Sequence, residues 1–275
     1  MLVVAPISTR AVADLRIFQG VGIEAVELIV LSIGTHSENR LLSTLPPADF
    51  ELLRRHMRAT PLASQAIIWD SGDSITKAYF PHRGAVSLVM VLSGGQMIET
   101  AIVGREGMLG GFAALSSHPA SYRAIVQIEG AAWVIDMELL RELAQTHESL
   151  KAMLFGHERA LMAQTQQVAA CNASHALEAR LCRWLLRACD ACGATTLSTT
   201  QEAIAEILGV RRTSISLVAH TMQAAGMIRT RRGQIEILNV AGLRDHACEC
   251  YDKTATNYER MLGTATAGTE AALVD

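Results

Sequence analysis

Several absences narrow the reading of this 275-residue chain. No stretch of 18 or more uninterrupted apolar residues occurs, so no membrane-spanning helix is expected. The nearest approach, VGIEAVELIVLSIG (21–34), is broken by Glu24 and Glu27. The opening MLVVAPISTR carries no charged segment ahead of an apolar core, which argues against a secretory signal. Cysteine is missing before Cys171, and the six that follow (171, 182, 189, 192, 248, 250) fit a reduced, cytoplasmic chain better than a disulfide scaffold. GxSxG, Walker and HExxH patterns are missing, and no paired-carboxylate arrangement stands out, so no enzyme is expected. The last absence is the most telling: no acidic residue lies between Gly209 and Ile235, a span with five arginines (Arg211, Arg212, Arg229, Arg231, Arg232). On a chain of net charge −3 this is a local basic footprint, of the kind that meets nucleic acid.

What is present has a clear order. Half of the residues are apolar and 19% are charged, a globular composition long enough for two cores. Residues 1–38 form an apolar extension without a motif. NRLLSTLPPADFELLRRHM (39–57) reads as two short helices broken at Pro46-Pro47. Between Gln65 and Asp136, β-rich runs (AIIW, ITKAYF, AVSLVMVL, MIETAIV, AIVQI, AAWVID) alternate with turn clusters such as DSGDS, PHRG, GREG and EG. That rhythm predicts an antiparallel β domain over 39–149.

Past Met137 the pattern becomes helical. Leu154, Leu161 and Val168 fall seven apart, with Leu150 and Cys171 near the alternate seam position. This predicts a long helix over 150–173 that pairs with a twin as a dimer seam; the alternative is a helix lying against its own β domain. Asn172 to Ser174 are placed to end it and cap the next helix, striped by Leu177, Leu181, Leu185 and Ala188. From Asp252 to Asp275 the chain is rich in Thr, Ala and Gly and is expected to fray.

Within 174–251, Thr199-Thr200-Gln201-Glu202 fits a capping box with Thr199 as N-cap. Ala205, Gly209, Ile215 and Val218 then stand at offsets 0, 4, 10 and 13. A helix-turn-helix needs that spacing: a small residue where the helices touch, glycine in the turn, and two apolar locks on the second helix. MIRTRRGQIEIL (227–238) reads as a hairpin wing turning at Arg232-Gly233. The candidate DNA contacts are Thr200, Gln201, Arg211, Arg212, Thr213, Ser214, Ser216, Arg231 and Arg232. Arginine's planar fork can take guanine O6 and N7 together or grip phosphate.

A β-rich sensor, a long helix and a winged helix-turn-helix in this order resemble the Crp/Fnr family of bacterial transcription regulators. The resemblance is carried by GREGMLGG after MIETAIV and by TQEAIAEILGVRRTSISLVAHTMQAAGMIRTRRGQIEIL. It implies a homodimer on palindromic double-stranded DNA, RNA polymerase as a further partner, and Arg212 in the place of the family's guanine-reading arginine. The family's cyclic-nucleotide binders hold ribose with Gly-Glu and phosphate with Arg-Ser or Arg-Thr. Here Gly110 is followed by Gly111, and Arg123 stands between Tyr122 and Ala124. Gly110, Gly111 and Arg123 therefore mark a possible effector pocket, but cyclic AMP is not the expected effector. The family's iron–sulfur branch uses N-terminal cysteines, which are missing here. Cys189, Cys192, Cys248 and Cys250 stay open between a Cys₄ metal site or redox pair and small half-buried residues, with the second preferred. The alternative overall is a ligand-binding or redox- or metal-sensing module whose DNA binding is switched off or lost.

Overall fold

The computed structural model describes residues 38–267. All but the last residue of the 1–38 extension, and residues 268–275, lie outside them. A short 3-10 turn (Leu42–Thr44) leads into α1 (Pro47–Arg54). Pro47 occupies the first helical position, where its missing N–H leaves no bond unmade.

The β domain consists of β1 (Arg58–Leu62), β2 (Ile67–Trp69), β3 (Lys77–Val91), β4 (Met97–Val103) and β5 (Arg123–Asp136). The pairings are antiparallel in the order β1-β5-β3-β4, with β2 also against β5. β3 and β5 run straight through PHRG and EG, which the sequence pattern suggests are turns. Both clusters are bulges instead, with register shifts between Pro81 and Val86. Gly84 has φ +77° there, and a Cβ on it would lie 2.5 Å from the Ile128 carbonyl oxygen. Glycine thus lets two long strands cross closely and bend without ending.

α2 (Gly111–Leu115) lies between β4 and β5 in sequence, and α3 (Met137–Thr146) follows β5 directly. The Asp136 side chain caps α3 by accepting from the Glu138 N–H at 3.0 Å. Next comes α4 (Glu148–Ser174), 27 residues and about 40 Å long. Its expected seam residues Leu150, Leu154, Leu161 and Val168 are all buried within this chain. Leu150 and Leu154 pack with Phe80, Ile135 and Leu140, and Leu161 packs with the sheet. The helix lies on its own β domain through those residues, so they are not a free seam. The exposed apolar stripe lies on another face, at Ala152, Phe155, Met162 and Ala169.

α5 (Leu177–Cys192) starts at Ala176 without a side-chain cap, so residues 172–174 do not serve it as expected. Beyond it lie β6 (Thr196–Leu197), α6 (Gln201–Leu208), α7 (Arg212–Ala224), β7 (Ile228–Arg231), β8 (Gln234–Ile237), α8 (Val240–His246) and α9 (Cys250–Ala267). The three short strands pair in the order β6-β8-β7. The expected frayed tail is corrected over 252–267, which is helical: Tyr258 and Met261 of α9 are buried in the core that holds Leu150 and Leu154. Two apolar anchors outweigh the weak helix preference of the Thr and Gly around them.

The β domain and the winged helix share one apolar core, in which Val89, Ile102 and Ile125 pack with Trp184, Leu185 and Leu208. Polar groups are fixed inside this joint. Glu106 and Arg187 form a buried ion pair at 2.9 Å. Arg187 also lies over the Tyr258 ring, 5.3 Å from its centroid. Glu99 accepts from Ser87 Oγ at 2.5 Å and from Trp184 Nε1 at 3.2 Å. Arg105 donates from its backbone N–H to the Ala191 carbonyl at 2.9 Å and from Nε to the Asp190 carbonyl at 3.1 Å, closing the end of α5.

Candidate nucleic-acid interface

α6 begins with Thr200, whose Oγ1 accepts from the Ala203 N–H at 3.1 Å. The cap is therefore one residue later than the capping-box pattern suggests. Thr199 is buried, and Gln127 Nε2 donates to its hydroxyl at 3.3 Å. Glu202 does not close a box but reaches Arg212 at 3.2 Å. The helix stops at Gly209, whose φ of +65° suits glycine, and the Val210 N–H donates to the Ala205 carbonyl at 2.9 Å. A Cβ at Gly209 would run into the Ile98 side chain of β4.

Ala205, Ile215, Ala219 and Met222 are buried and Val218 is half-buried, which seats α7 against α6 in the expected register. That leaves Arg211, Arg212 and Thr213 exposed at the opening of α7, Ser214 half-buried, and no acidic residue in the first turn. Free N–H groups and the helix dipole add to the attraction for phosphate there. Gln201 and Ser216 are half-buried and engage each other, Ser216 Oγ donating to Gln201 Oε1 at 2.7 Å. Leu217 and His220 continue the exposed face from Thr213, and Leu217 is 70% exposed. The sequence reading missed both, although the helical spacing from Thr213 was available to find them.

In the wing, Arg231 and Arg232 are exposed at the hairpin tip, where Gly233 takes φ +72°. Gln223 Oε1 accepts from the Thr230 N–H at 2.8 Å and so ties the wing to α7. Arg229 pairs with Glu236 at 3.0 Å. The basic footprint is thus partly opposed, since Arg212 and Arg229 each have a carboxylate neighbour. The first pair is exposed and the second half-exposed, and both hold little energy and can be exchanged for phosphate.

In the β domain a cavity of about 390 Å³ is lined by Ile75, Gly110, Phe112, His118, Pro119 and Tyr122. Gly110 lies where the sequence pointed, in the left-handed region at φ +88° before α2. A Cβ at Gly111 would collide with the Glu158 carboxylate of α4. Arg123 is not part of the lining: Asp70 holds it at 2.5 Å, and the bond keeps the Asp70 carboxyl below the usual range. Tyr122 is pushed above the ordinary phenol range by burial first and by the Glu158 charge second. His157 is fully buried with Nε2 accepting from the Met108 N–H at 3.1 Å, so Nδ1 carries the hydrogen that faces Glu158. Cys189 and Cys192 do not join Cys248 and Cys250, so no Cys₄ group forms among the described residues.

The family model for the cyclic nucleotide-binding domain matches residues 60–147, and that for the Crp-like helix-turn-helix domain matches residues 179–246. The chain thus joins a cyclic-nucleotide-binding-like domain to a Crp-like helix-turn-helix domain, the combination of a DNA-binding transcription regulator of the CRP family. Its fold is similar to that of a CRP-family transcriptional regulator from Thermus thermophilus (TM-score 0.58, 21% identity, 68% of this chain and 96% of that one). It is also similar to FixK2 from Bradyrhizobium japonicum (TM-score 0.59, 16% identity, 70% and 98%). A third is the c-di-GMP-responsive global regulator CLP of Xanthomonas campestris (TM-score 0.56, 17% identity, 70% and 99%). No curated protein matches the chain in sequence. No helix among the described residues is long and apolar enough to cross a membrane.

Proposed function

We propose that this chain regulates transcription in the bacterial cytoplasm as a homodimer on a palindromic DNA site, with RNA polymerase as its partner there and an effector other than cyclic AMP. The observation that carries the reading is the opening of α7. Arg211, Arg212 and Thr213 are exposed together at the end of a helix locked down by Ile215, Ala219 and Met222. Such an end enters the major groove, where the Arg212 fork reads guanine and Thr213 offers a hydroxyl and a methyl. The wing arginines Arg231 and Arg232 then meet phosphate.

Homodimer formation is supported by the outer stripe of α4. Phe155 and Met162 are 55% and 63% exposed and seven residues apart, flanked by Ala152 and Ala169 in the same heptad pattern. Two such helices interlock as knobs into holes and set two recognition helices in successive major grooves. The effector reading rests on charge. Arg123 is engaged by Asp70, and the charged group beside Gly111 is the Glu158 carboxylate, so a cyclic phosphate would lack its arginine counter-charge.

The test is selection of the reduced protein against randomised duplexes at near-physiological salt. A palindrome with half-sites one helical turn apart is expected, and recovery of only salt-sensitive, sequence-independent binding would overturn the reading. Calorimetry with cyclic AMP should show no saturable heat.

A further inference from the structure

Where α4 hands over to α5, three cysteines and a histidine from two distant parts of the chain converge. Cys171 lies in the last turn of α4 and His175 is the extended residue that ends it, its N–H donating to the Cys171 carbonyl at 3.0 Å, while Cys248 and Cys250 flank Glu249 at the start of α9. Their four donor atoms lie within 4.8 Å of one another. Cys171 Sγ and Cys248 Sγ are 3.5 Å apart, and Cys250 Sγ is 3.6 Å from His175 Nδ1. A tetrahedral zinc with Zn–S near 2.3 Å and Zn–N near 2.0 Å has edges of about 3.8 Å between sulfurs and about 3.5 Å between sulfur and nitrogen. The cluster is already near that size.

Its surroundings are those of a metal site as well. His175 Nε2 meets Glu249 Oε2 at 3.2 Å. That contact fixes the tautomer with the hydrogen on Nε2 and leaves the Nδ1 lone pair facing the sulfurs. Gln167 Nε2 lies 3.0 Å from Cys250 Sγ, as a donor to a thiolate would. Cys171, Cys248 and Cys250 are buried, so the group is closed and has no open position for a substrate. Three thiolates around a divalent ion leave a single negative charge, and a buried cation stands ready for it. Arg183 is 5% exposed, acts electrostatically on Cys171, and its Nε has no hydrogen-bond partner among the described residues.

We infer that Cys171, His175, Cys248 and Cys250 form a closed Cys₃His site for one zinc ion per chain, which clips the end of α4 to the start of α9. Binding displaces three thiol protons to solvent and joins residues 77 positions apart in sequence. Because α5 begins two residues after His175, the clip also sets the angle at which the winged helix leaves α4.

The test uses the full chain, purified reduced and without a metal-binding tag, with zinc measured by plasma mass spectrometry. About one zinc per chain is expected in the wild type and in Cys189→Ser, and its loss in Cys171→Ser and Cys250→Ser. Since those two variants remove core contacts, the wild-type chain is also stripped with chelator and titrated with cobalt(II) alone. A thiolate-to-cobalt charge-transfer band with strong visible bands of tetrahedral cobalt, both displaced by zinc, is the expected result. A wild-type chain that holds no stoichiometric zinc and gives no such cobalt spectrum would overturn the proposal. So would zinc retained in both Cys171→Ser and Cys250→Ser.

Discussion

Arg187 and Arg212 are the same side chain in opposite settings. Arg187 is buried in the joint between the β domain and α5, held by Glu106 and lying over Tyr258. Arg212 is exposed at the opening of α7, with an equally exposed Glu202 as its neighbour. A buried arginine has given up its water and keeps its partner, because losing one leaves the other charge stranded. An exposed one loses little by trading a carboxylate for phosphate or a base edge. The chain thus uses arginine inside to fix the joint and arginine outside to bind.

The sharpest way to break that contrast is Arg187→Ala. It leaves Glu106 buried without its cation and should cost roughly 3–5 kcal/mol in urea unfolding; a loss as small as that of a surface pair would end the distinction. Arg212→Ala should leave stability unchanged. It should reduce discrimination at one base pair per half-site by about 1–3 kcal/mol, read by competition between duplexes. Arg231→Ala should weaken all sequences alike and lower the salt slope by about one unit per half-site. Thr200→Ala removes the α6 cap and should cost about 1 kcal/mol of unfolding free energy.

The mildest test concerns Glu99. Burial holds its carboxyl above the ordinary range against the pull of Ser87 and Trp184. The folded chain therefore keeps a proton that the unfolded chain releases. The associated stability is complete below the ordinary carboxylate pKa and declines as pH rises through the raised value. Glu99→Gln, which retains an acceptor for Ser87 and Trp184, should flatten this decline in melting curves taken across pH.

The winged helix was legible in the sequence because its signals are short-range: a threonine cap, Gly209 in the turn, and apolar residues at helical spacing. Even there the cap slipped by one residue, since Thr199 and Thr200 are equal as local signals and only the bond from Gln127 draws Thr199 inward. The residues expected at a seam on α4 turned inward for a similar reason. The helix has apolar residues on two faces, and the β domain takes Leu154 and Leu161 and leaves Phe155 and Met162 outside. Gly84 looked like a turn residue because the strand crossing it permits is made with Ile128 and Glu129, far along the chain. Arg123 fell outside the pocket because Asp70, from another loop, claims it. The cysteine pairing was the least legible, since Cys171 and His175 form no recognisable spacing with Cys248 and Cys250.

α4 is a rigid rod that touches both ends of the molecule's business. Glu158 stands against Gly111 at the start of α2, and Cys171 lies about 20 Å further along the same axis. A continuous helix resists bending far more than it resists tilting, so the rod behaves as a lever. A tilt of a few degrees about its middle, where Leu161 packs on the sheet, would carry the two ends of the helix by about an ångström in opposite directions. A push on one end of α4 would therefore arrive as a displacement at the root of the winged helix, without any new contact at the face that carries Arg211 and Arg212.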